Sequence, residues 1–332
     1  MEVDISVLTP VLNEEEHILK TADSMLDQRY SGTVEFIFID GGSDDRTLDL
    51  LLDLQREDPR VRILHSPQRS TPVALNIGLH AARGKYVARM DAQTLYPDDY
   101  LAQGVERLRR GDLAHVSGPQ LPYGDGKWSR RVAMALMTPL GRGGTRFPQE
   151  SGIWPREVLD AHGGWDEDWH TDQDSELAAR IRESGGDSEC VPELAAQFIP
   201  RNSLRAVARQ SWHGGYYRAK TSHAHPRSMR RSPAWAPGLA LTLATLLAPL
   251  GALRWVGRGA VALWCAAVVA VAVGQAYRET SAELGVTPAD LGALPAVFVA
   301  MHLVWGLGFM VGFLRFGPPI RALRTLLGTR SA

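Results

Sequence analysis

Between Ile5 and Gly118, short β-rich runs alternate with helix-forming segments, and that rhythm leaves a chain few ways to fold. The runs are Ile5–Thr9, Val34–Ile39, Val61–Leu64, Tyr86–Met90 and Ala114–Gly118. Between them lie a helical segment from Asn13 with an apolar face (Ile18, Leu19, Ala22, Met25, Leu26), then Thr47–Arg56, a segment opened by Thr71-Pro72 and closed by Gly84, and Pro97–Arg110. Thr-Pro offers an N-cap followed by proline at the first helical position, and glycine ends helices readily. Strands and helices joined by a few residues predict an α/β fold, a mostly parallel sheet flanked by helices. Val34–Ile39 reads as its central strand, apolar on both faces. The order of the strands is not readable from the alternation.

In an open sheet of this kind, ligands bind outside the carboxyl ends of the strands. Tyr86–Met90 delivers Asp91 there and, two residues on, Gln93; a carboxylate and an amide oxygen can hold a divalent cation against a diphosphate. The first strand ends in Thr9-Pro10-Val11-Leu12-Asn13-Glu14, which presents a hydroxyl, an amide and helix N–H groups to a ligand, or serves as a plain helix cap. The second ends in Asp40-Gly41-Gly42-Ser43-Asp44-Asp45, whose glycines let the backbone approach a planar ring and whose Asp40 can accept from a base N–H. A glycine turn with an N-cap has the same composition. No dinucleotide fingerprint and no phosphate-binding loop is present, which weakens dehydrogenase and kinase readings.

The net charge of −1 excludes a global field that recruits nucleic acid. Two distant cysteines, Cys190 and Cys265, form neither a disulfide framework nor a zinc spacing, so a reducing compartment is expected. The N-terminus enters a strand at once, so no signal peptide is expected. From Leu121 to Gly164 the pattern loosens around Gly141–Pro148, including Met134, Met137 and Phe147, which read as core or membrane-contact residues. A helix restarts near His170 and runs through Ile181. Short strands follow at Val191-Pro192 and Gln197–Pro200, then a helix over Leu204–Tyr217 and a basic segment to Arg231.

Three uncharged stretches close the chain: Ser232–Leu253, Gly259–Tyr277 and Leu291–Leu314. Each approaches or exceeds the roughly 20 apolar residues that cross a bilayer. Placing Arg254–Arg258 and the tail after Arg315 inside, and the acidic loop Arg278–Asp290 outside, satisfies the positive-inside tendency. That placement favours an interfacial or re-entrant first stretch plus two spans over three spans. The expected domains are 1–217 (catalytic), 218–233 (basic connector) and 234–332 (membrane region). Arg227, Arg230 and Arg231 would hold the catalytic domain on the cytoplasmic face of the membrane.

The strand-end motifs, with Ala74-Leu75-Asn76-Ile77-Gly78-Leu79, Ala81–Val87 and Asp91-Ala92-Gln93 in that order, resemble family 2 glycosyltransferases of GT-A fold over roughly residues 4–221. Within the family, Asp91–Pro97, Asp172–Leu177 and Gln210–Thr221 look similar to membrane-anchored glucosyltransferases of succinoglycan-type exopolysaccharide assembly. The resemblance implies that Thr9, Pro10, Asn13, Glu14, Asp40, Gly42, Ser43, Asp45 and Asn76 bind the nucleotide, most simply uridine. It implies that Asp91 bridges the diphosphate through Mg²⁺ or Mn²⁺, with Gln93 replacing the second acid of the family's D-x-D motif and so lowering metal affinity.

Asp174 matches the family's catalytic base, with Gln173 where the preceding Glu usually stands. Locally, Thr171-x-x-Asp174 also resembles a capping box. Gln173, Gln210, Trp212 and Arg218 would serve the acceptor or a diphosphate, with Lys220 beside them; a basic collar at an anionic lipid surface is the alternative for Arg218 and Lys220. His213, His223 and His225 read as solvated or interfacial.

The implied activity is inverting transfer of a hexose from a nucleotide sugar, UDP-glucose in the first instance, to a polyprenyl-diphosphate-linked saccharide. A polyprenyl-phosphate monosaccharide synthase uses the same donor with another acceptor. A nucleotide-binding membrane scaffold without turnover is the reading in which Gln93 and Gln173 have cost the site its chemistry. The expected partners are therefore the nucleotide sugar, the lipid-linked glycan and membrane lipid, and not nucleic acid.

Overall fold

The structure is a computed structural model that describes residues 2–141, 151–228, 235–245, 251–276, 287–318 and 320–322. Phe147, Arg230, Arg231 and most of the acidic loop after Ala276 lie outside the described residues. The chain divides into two compact units, Met1–Leu121 with Arg146–Phe198, and Pro122–Thr145 with Ile199–Ala332. The division falls before residue 199, and residue 217 lies inside the helix Leu204–Ala224, which belongs whole to the second unit.

The first unit is built on a seven-stranded sheet. Its strands are β1 (Ile5–Val11), β2 (Val34–Asp40), β3 (Val61–His65), β4 (Tyr86–Arg89), β6 (Leu113–Ser117), β8 (Ile153–Pro155) and β9 (Asp187–Cys190), in the order β3-β2-β1-β4-β8-β6-β9. Neighbours run parallel except β8, which is antiparallel to β4 and β6. A second, three-stranded sheet has the order β5 (Thr94–Leu95), β10 (Ala196–Phe198) and β7 (Gln120–Pro122), and β5 follows β4 directly in the chain. One face of the sheet packs on α1 (Ile18–Leu26), α2 (Thr47–Glu57) and α4 (Tyr100–Arg110); the other packs on α3 (Thr71–Ala81), α6 (Arg156–Ala161) and α7 (Gln173–Glu183).

β1 does not stop before Pro10. It continues to Val11 beside β2, but its pairing with β4 ends when Met90 N donates to Leu8 O at 3.1 Å. The next bond of a parallel ladder would need an N–H from residue 10, and proline has none. The two strands part there, and the chain after Met90 is free to turn Asp91 into the gap.

Gly84 was expected to cap α3. The helix ends at Ala81 instead, and Gly84 is required for another reason: a Cβ there would sit 2.4 Å from Ser6 N on β1.

The second unit is helical: α5 (Lys127–Leu136), α8 (Leu204–Ala224), α9 (Trp235–Thr245), α10 (Gly251–Ala276), α11 (Pro288–Phe298) and α12 (Val304–Phe316), the last two joined by a π-turn at Val299–Leu303. α8 and α12 touch backbone to backbone. A Cβ on Gly308 would lie 2.3 Å from Trp212 O, one on Gly312 2.5 Å from Tyr216 O, and one on Gly215 2.0 Å from Trp305 O. Glycine removes the side chains that would hold such helices apart.

Two helices, Gly251–Gly274 and Pro288–Phe316, are long and apolar enough to cross a membrane by length and composition. They differ in surroundings. Only 11 % of the most apolar stretch of the first is buried inside the protein, against 44 % of the second. The second also carries buried Asp290, whose Oδ1 accepts from Arg131 Nε at 2.8 Å.

The placement inferred from loop charges put Asp290 outside and Arg131 inside, and a membrane cannot separate groups that share a hydrogen bond. Charges counted along the chain do not reveal which of them a partner already neutralises.

Candidate active site

The crevice at the carboxyl end of the sheet starts from two loops bonded to each other. After β1, Asn13 takes a left-handed conformation (φ 55°), which asparagine tolerates better than most residues. Its N–H donates to Ser43 Oγ at 3.0 Å and its Oδ1 accepts from Asp44 N at 2.8 Å. Glu14 N donates to Thr47 Oγ1 at 2.7 Å and Glu15 N to Asp45 Oδ2 at 3.2 Å. After β2, Asp40 accepts from Gly42 N at 3.0 Å and from Ser43 Oγ at 2.6 Å, with Gly42 at φ 80°. The expected nucleotide residues Asn13, Asp40, Gly42, Ser43 and Asp45 are thus brought together, as a bracket that holds two strand ends in register.

Glu14 reaches across the crevice. Gln93 Nε2 donates to both of its carboxylate oxygens, at 2.7 and 2.8 Å. A residue expected at the nucleotide is therefore tied to one expected at the cation. With its nitrogen engaged this way, the Gln93 amide keeps its oxygen for another partner.

Two expected nucleotide contacts belong elsewhere. Thr9 is 1 % exposed, and its hydroxyl donates to Met25 Sδ at 3.7 Å. Side chains alternate along a strand, so Thr9 shares a face with Ile5, Val7 and Val11, all in the core against α1. Asn76, on α3, holds a loop: its Nδ2 donates to Trp165 O at 2.8 Å and its Oδ1 accepts from Trp165 N at 2.9 Å. Pro10, by contrast, acts through its missing N–H, as described above.

That loop presents Trp165 to Asp174. The indole Nε1 donates to Asp174 Oδ1 at 3.0 Å, and Gln173 Nε2 donates to Oδ2 at 3.0 Å. Arg89 Nη1 pairs with the same Oδ2, while its Nε donates to Asp91 Oδ1 at 2.8 Å. One guanidinium, 8 % exposed at the end of β4, thus joins the expected base to the expected metal ligand. Burial alone would pull the Arg89 pKa down, but the two carboxylates outweigh it and push it up, so the side chain stays charged.

Asp91 is fixed from behind as well: its N–H donates to Tyr96 Oη at 2.7 Å. Burial, reinforced by Asp91, pushes the Tyr96 phenol well up.

The capping reading of Asp174 does not hold. α7 starts at Gln173 after Asp172, which is left-handed (φ 68°) and makes no side-chain cap bond. Arg89 and Trp165 were missed by the sequence reading. Arg89 had a signal, a lone charge inside an otherwise apolar strand, which is seldom buried without a partner. Trp165 stands in an irregular stretch and had none.

Among the described residues, no group of three or more His, Cys, Asp or Glu side chains is placed to hold a metal by itself. The donor set suits a cation that shares its ligands with substrate. Asp91 keeps an oxygen beyond the one bonded to Arg89, and the Gln93 amide oxygen completes a pair of hard ligands, leaving diphosphate and water for the rest.

Gln210, Trp212 and Arg218 all lie on α8 in the second unit, a helix that also carries Arg205, Arg209 and Lys220.

A mostly parallel sheet with an acid at the end of β4 and a buried carboxylate held beside it fits a transferase of GT-A fold. Residues 6–165 match the family model for glycosyl transferase family 2, and that part of the chain is a family 2 glycosyltransferase domain. It is 29 % identical to the succinoglycan biosynthesis protein ExoA of Rhizobium meliloti (strain 1021), over 93 % of this chain and 95 % of that protein.

It is also 24 % identical to a dolichyl N-acetyl-alpha-D-glucosaminyl phosphate 3-beta-D-2,3-diacetamido-2,3-dideoxy-beta-D-glucuronosyltransferase of Methanococcus voltae, over 62 % of this chain and 70 % of that one. Among solved structures, the mannosyltransferase PcManGT of Pyrobaculum calidifontis, in complex with GDP-Man and Mn²⁺, shares the fold with a TM-score of 0.58 at 24 % identity. The match covers 95 % of this chain and 88 % of that one.

Proposed function

We propose that this glycosyltransferase moves a hexose, with inversion, from UDP-glucose to a saccharide carried on a polyprenyl diphosphate during exopolysaccharide assembly. The observation that carries it is the buried Asp174, held by Trp165, Gln173 and Arg89 one guanidinium away from Asp91. The similarity to ExoA supports the exopolysaccharide setting, and the name of the Methanococcus voltae relative supports a lipid-linked acceptor. Similarity to PcManGT, solved with Mn²⁺, supports a divalent cation at Asp91 and Gln93.

In this reading the loops after β1 and β2 seat the nucleoside, with Asp40 and the Gly42 backbone facing its base. Asp174 takes the proton of the acceptor hydroxyl as that oxygen forms its bond to the anomeric carbon. The bond from that carbon to the diphosphate oxygen breaks with its electron pair, and the nucleoside diphosphate leaves. A bound Mg²⁺ or Mn²⁺ would supply Lewis-acid stabilisation of the leaving group's charge. Arg89 pairs with Asp174 and holds it beside Asp91. Trp165 and Gln173 fix the orientation of the carboxylate. Gln210, Trp212 and Arg218 serve the acceptor, and the exposed apolar face of α10 anchors the chain at the cytoplasmic side of the membrane.

The test is a screen of UDP- and GDP-sugars by nucleotide release, with Mg²⁺ or Mn²⁺ and lipid extract present. UDP release from UDP-glucose that depends on a lipid-linked glycan supports the proposal. Product formed on bare polyprenyl phosphate replaces it with the monosaccharide synthase, and absence of release with every donor replaces it with the scaffold.

A further inference from the structure

The second unit contains a cavity of about 560 Å³ that the transfer reaction leaves unassigned. One wall is the first two turns of α5, with Lys127, Arg130 and Arg131; the other is the start of α11, with Thr287 and Asp290. Asp290 is already matched. It accepts from Arg131 Nε at 2.8 Å, and from Thr287 N at 3.0 Å and Thr287 Oγ1 at 2.7 Å in a reciprocal cap.

Arg130 reaches Asp290 only at 3.4 Å, and its Nε is buried with no hydrogen-bond partner. Lys127 stands exposed at the mouth, and Asp125 is the other acid on the lining. The cavity therefore has more positive than negative charge, with a buried donor left over.

The backbone of α5 does not supply this character. Trp128 N and Ser129 N donate to Asn202 Oδ1 at 3.2 and 3.3 Å, and Gly126 N donates to Ser129 Oγ at 2.6 Å. Any attraction for an anion comes from the side chains. Arg131 also lies 4.8 Å over the Trp128 ring, which leaves Arg130 and Lys127 as the cations able to turn to a ligand.

The position along the chain says what sort of anion. The cavity wall at Thr287–Asp290 is where the apolar run Pro288–Phe316 begins. The end of a helix of that kind lies at the depth of lipid headgroups, where basic pockets collect phosphate. A lipid in that position brings its phosphate to Arg130 and Lys127 and lays its acyl chains along apolar helix surface.

We propose that this cavity binds the phosphate headgroup of a membrane lipid, gripped by Arg130 and Lys127. The site is read by binding alone, so its test is independent of glycosyl transfer.

The full-length protein in neutral detergent is titrated with dioctanoyl phosphatidate, with dioctanoylglycerol and with inorganic phosphate, following tryptophan fluorescence. Phosphatidate should bind, and the double variant Lys127→Gln/Arg130→Gln should weaken it at least about tenfold, the loss of two charge-assisted bonds. If the double variant does not fold, Lys127→Gln alone, at an exposed position, should weaken binding about threefold. Equal binding of dioctanoylglycerol overturns the proposal, as does affinity unchanged in the variants. Inorganic phosphate binding as tightly as phosphatidate also overturns it, since the site would then take free phosphate and not lipid.

Discussion

Each unit of the protein buries a cluster of arginine and aspartate, and the two clusters have opposite stoichiometry. In the sheet unit one guanidinium, Arg89, lies between two carboxylates, Asp91 and Asp174. In the helical unit one carboxylate, Asp290, lies between two guanidinia, Arg130 and Arg131. The first leaves a negative charge unmatched, at the edge where a cation and a sugar diphosphate would meet; the second leaves a positive one at the wall of a cavity.

A third cluster shows what decides whether such an excess makes a site. Glu35 has the stoichiometry of Asp290, paired with Arg62 at 2.6 Å and Arg83 at 2.7 Å, but the Arg83 side chain is 62 % exposed. Water hydrates the surplus there, so nothing remains to attract a ligand. What sets the Asp290 cluster apart is Arg130 Nε, which is buried with no hydrogen-bond partner.

The comparison can be broken at several points, beginning with the largest effect. Asp174→Asn should lower kcat by about 10³-fold, within the range for loss of a general base, while UDP affinity by calorimetry stays nearly unchanged. Wild-type-like turnover would remove the base assignment.

Next, Arg89→Met should cost about 3–5 kcal/mol of stability, because it strands two carboxylates in a buried crevice. Arg131→Met should cost less, about 1–3 kcal/mol, since Thr287 and Arg130 still face Asp290. Thermal unfolding in detergent measures both, and equal losses would dissolve the distinction between the clusters.

Acid should act on the sheet unit through His115. Burial, only partly offset by a backbone hydrogen bond at Ser151, pushes the His115 imidazole down to about 3, so it is neutral in the folded protein. Its unfolded counterpart titrates near 6.5, so this contribution is complete above that pH and is lost as pH falls from about 6.5 towards 3. The expected slope is about 1 kcal/mol per pH unit, and His115→Phe should flatten it.

Burial works against the charged form of Glu35, but hydrogen bonds from Arg83, Ser6 and Arg62 hold its carboxyl down at about 2. Its stabilisation is therefore complete above about pH 4.5 and is lost progressively as pH falls from there through about 2. The smallest effect is expected for Trp165→Phe, which removes one hydrogen bond to Asp174; about 1 kcal/mol, or a five- to tenfold drop in kcat, should follow with the fold retained.

The sheet and its loaded edge were legible because they are written locally. β-rich runs, helix starts and the acids after each strand are properties of neighbouring residues, and the observed strands β1, β2, β3, β4 and β6 fall on the expected runs within a residue or two at most ends. The side on which a strand residue points is also local, and strand alternation would have placed Thr9 in the core. What escaped depends on approach in space. Asn76 was expected at the nucleotide and instead secures Trp165, a contact across 89 residues of sequence. The membrane placement of Asp290 failed for the same reason, since its partner Arg131 is 159 residues away.

The sequence by itself determined the α/β layering, the family resemblance, and the delivery of Asp91 to the carboxyl edge. Periodicity and turn chemistry act over a few residues, so they survive without the rest of the molecule. Only the tertiary structure decided which charge each charge meets. Arg89 joins Asp91 to Asp174, Gln93 grips Glu14, and Asp290 is claimed by Arg131, because burial makes an unpaired ion so costly that packing must choose partners, and packing is not written in sequence spacing.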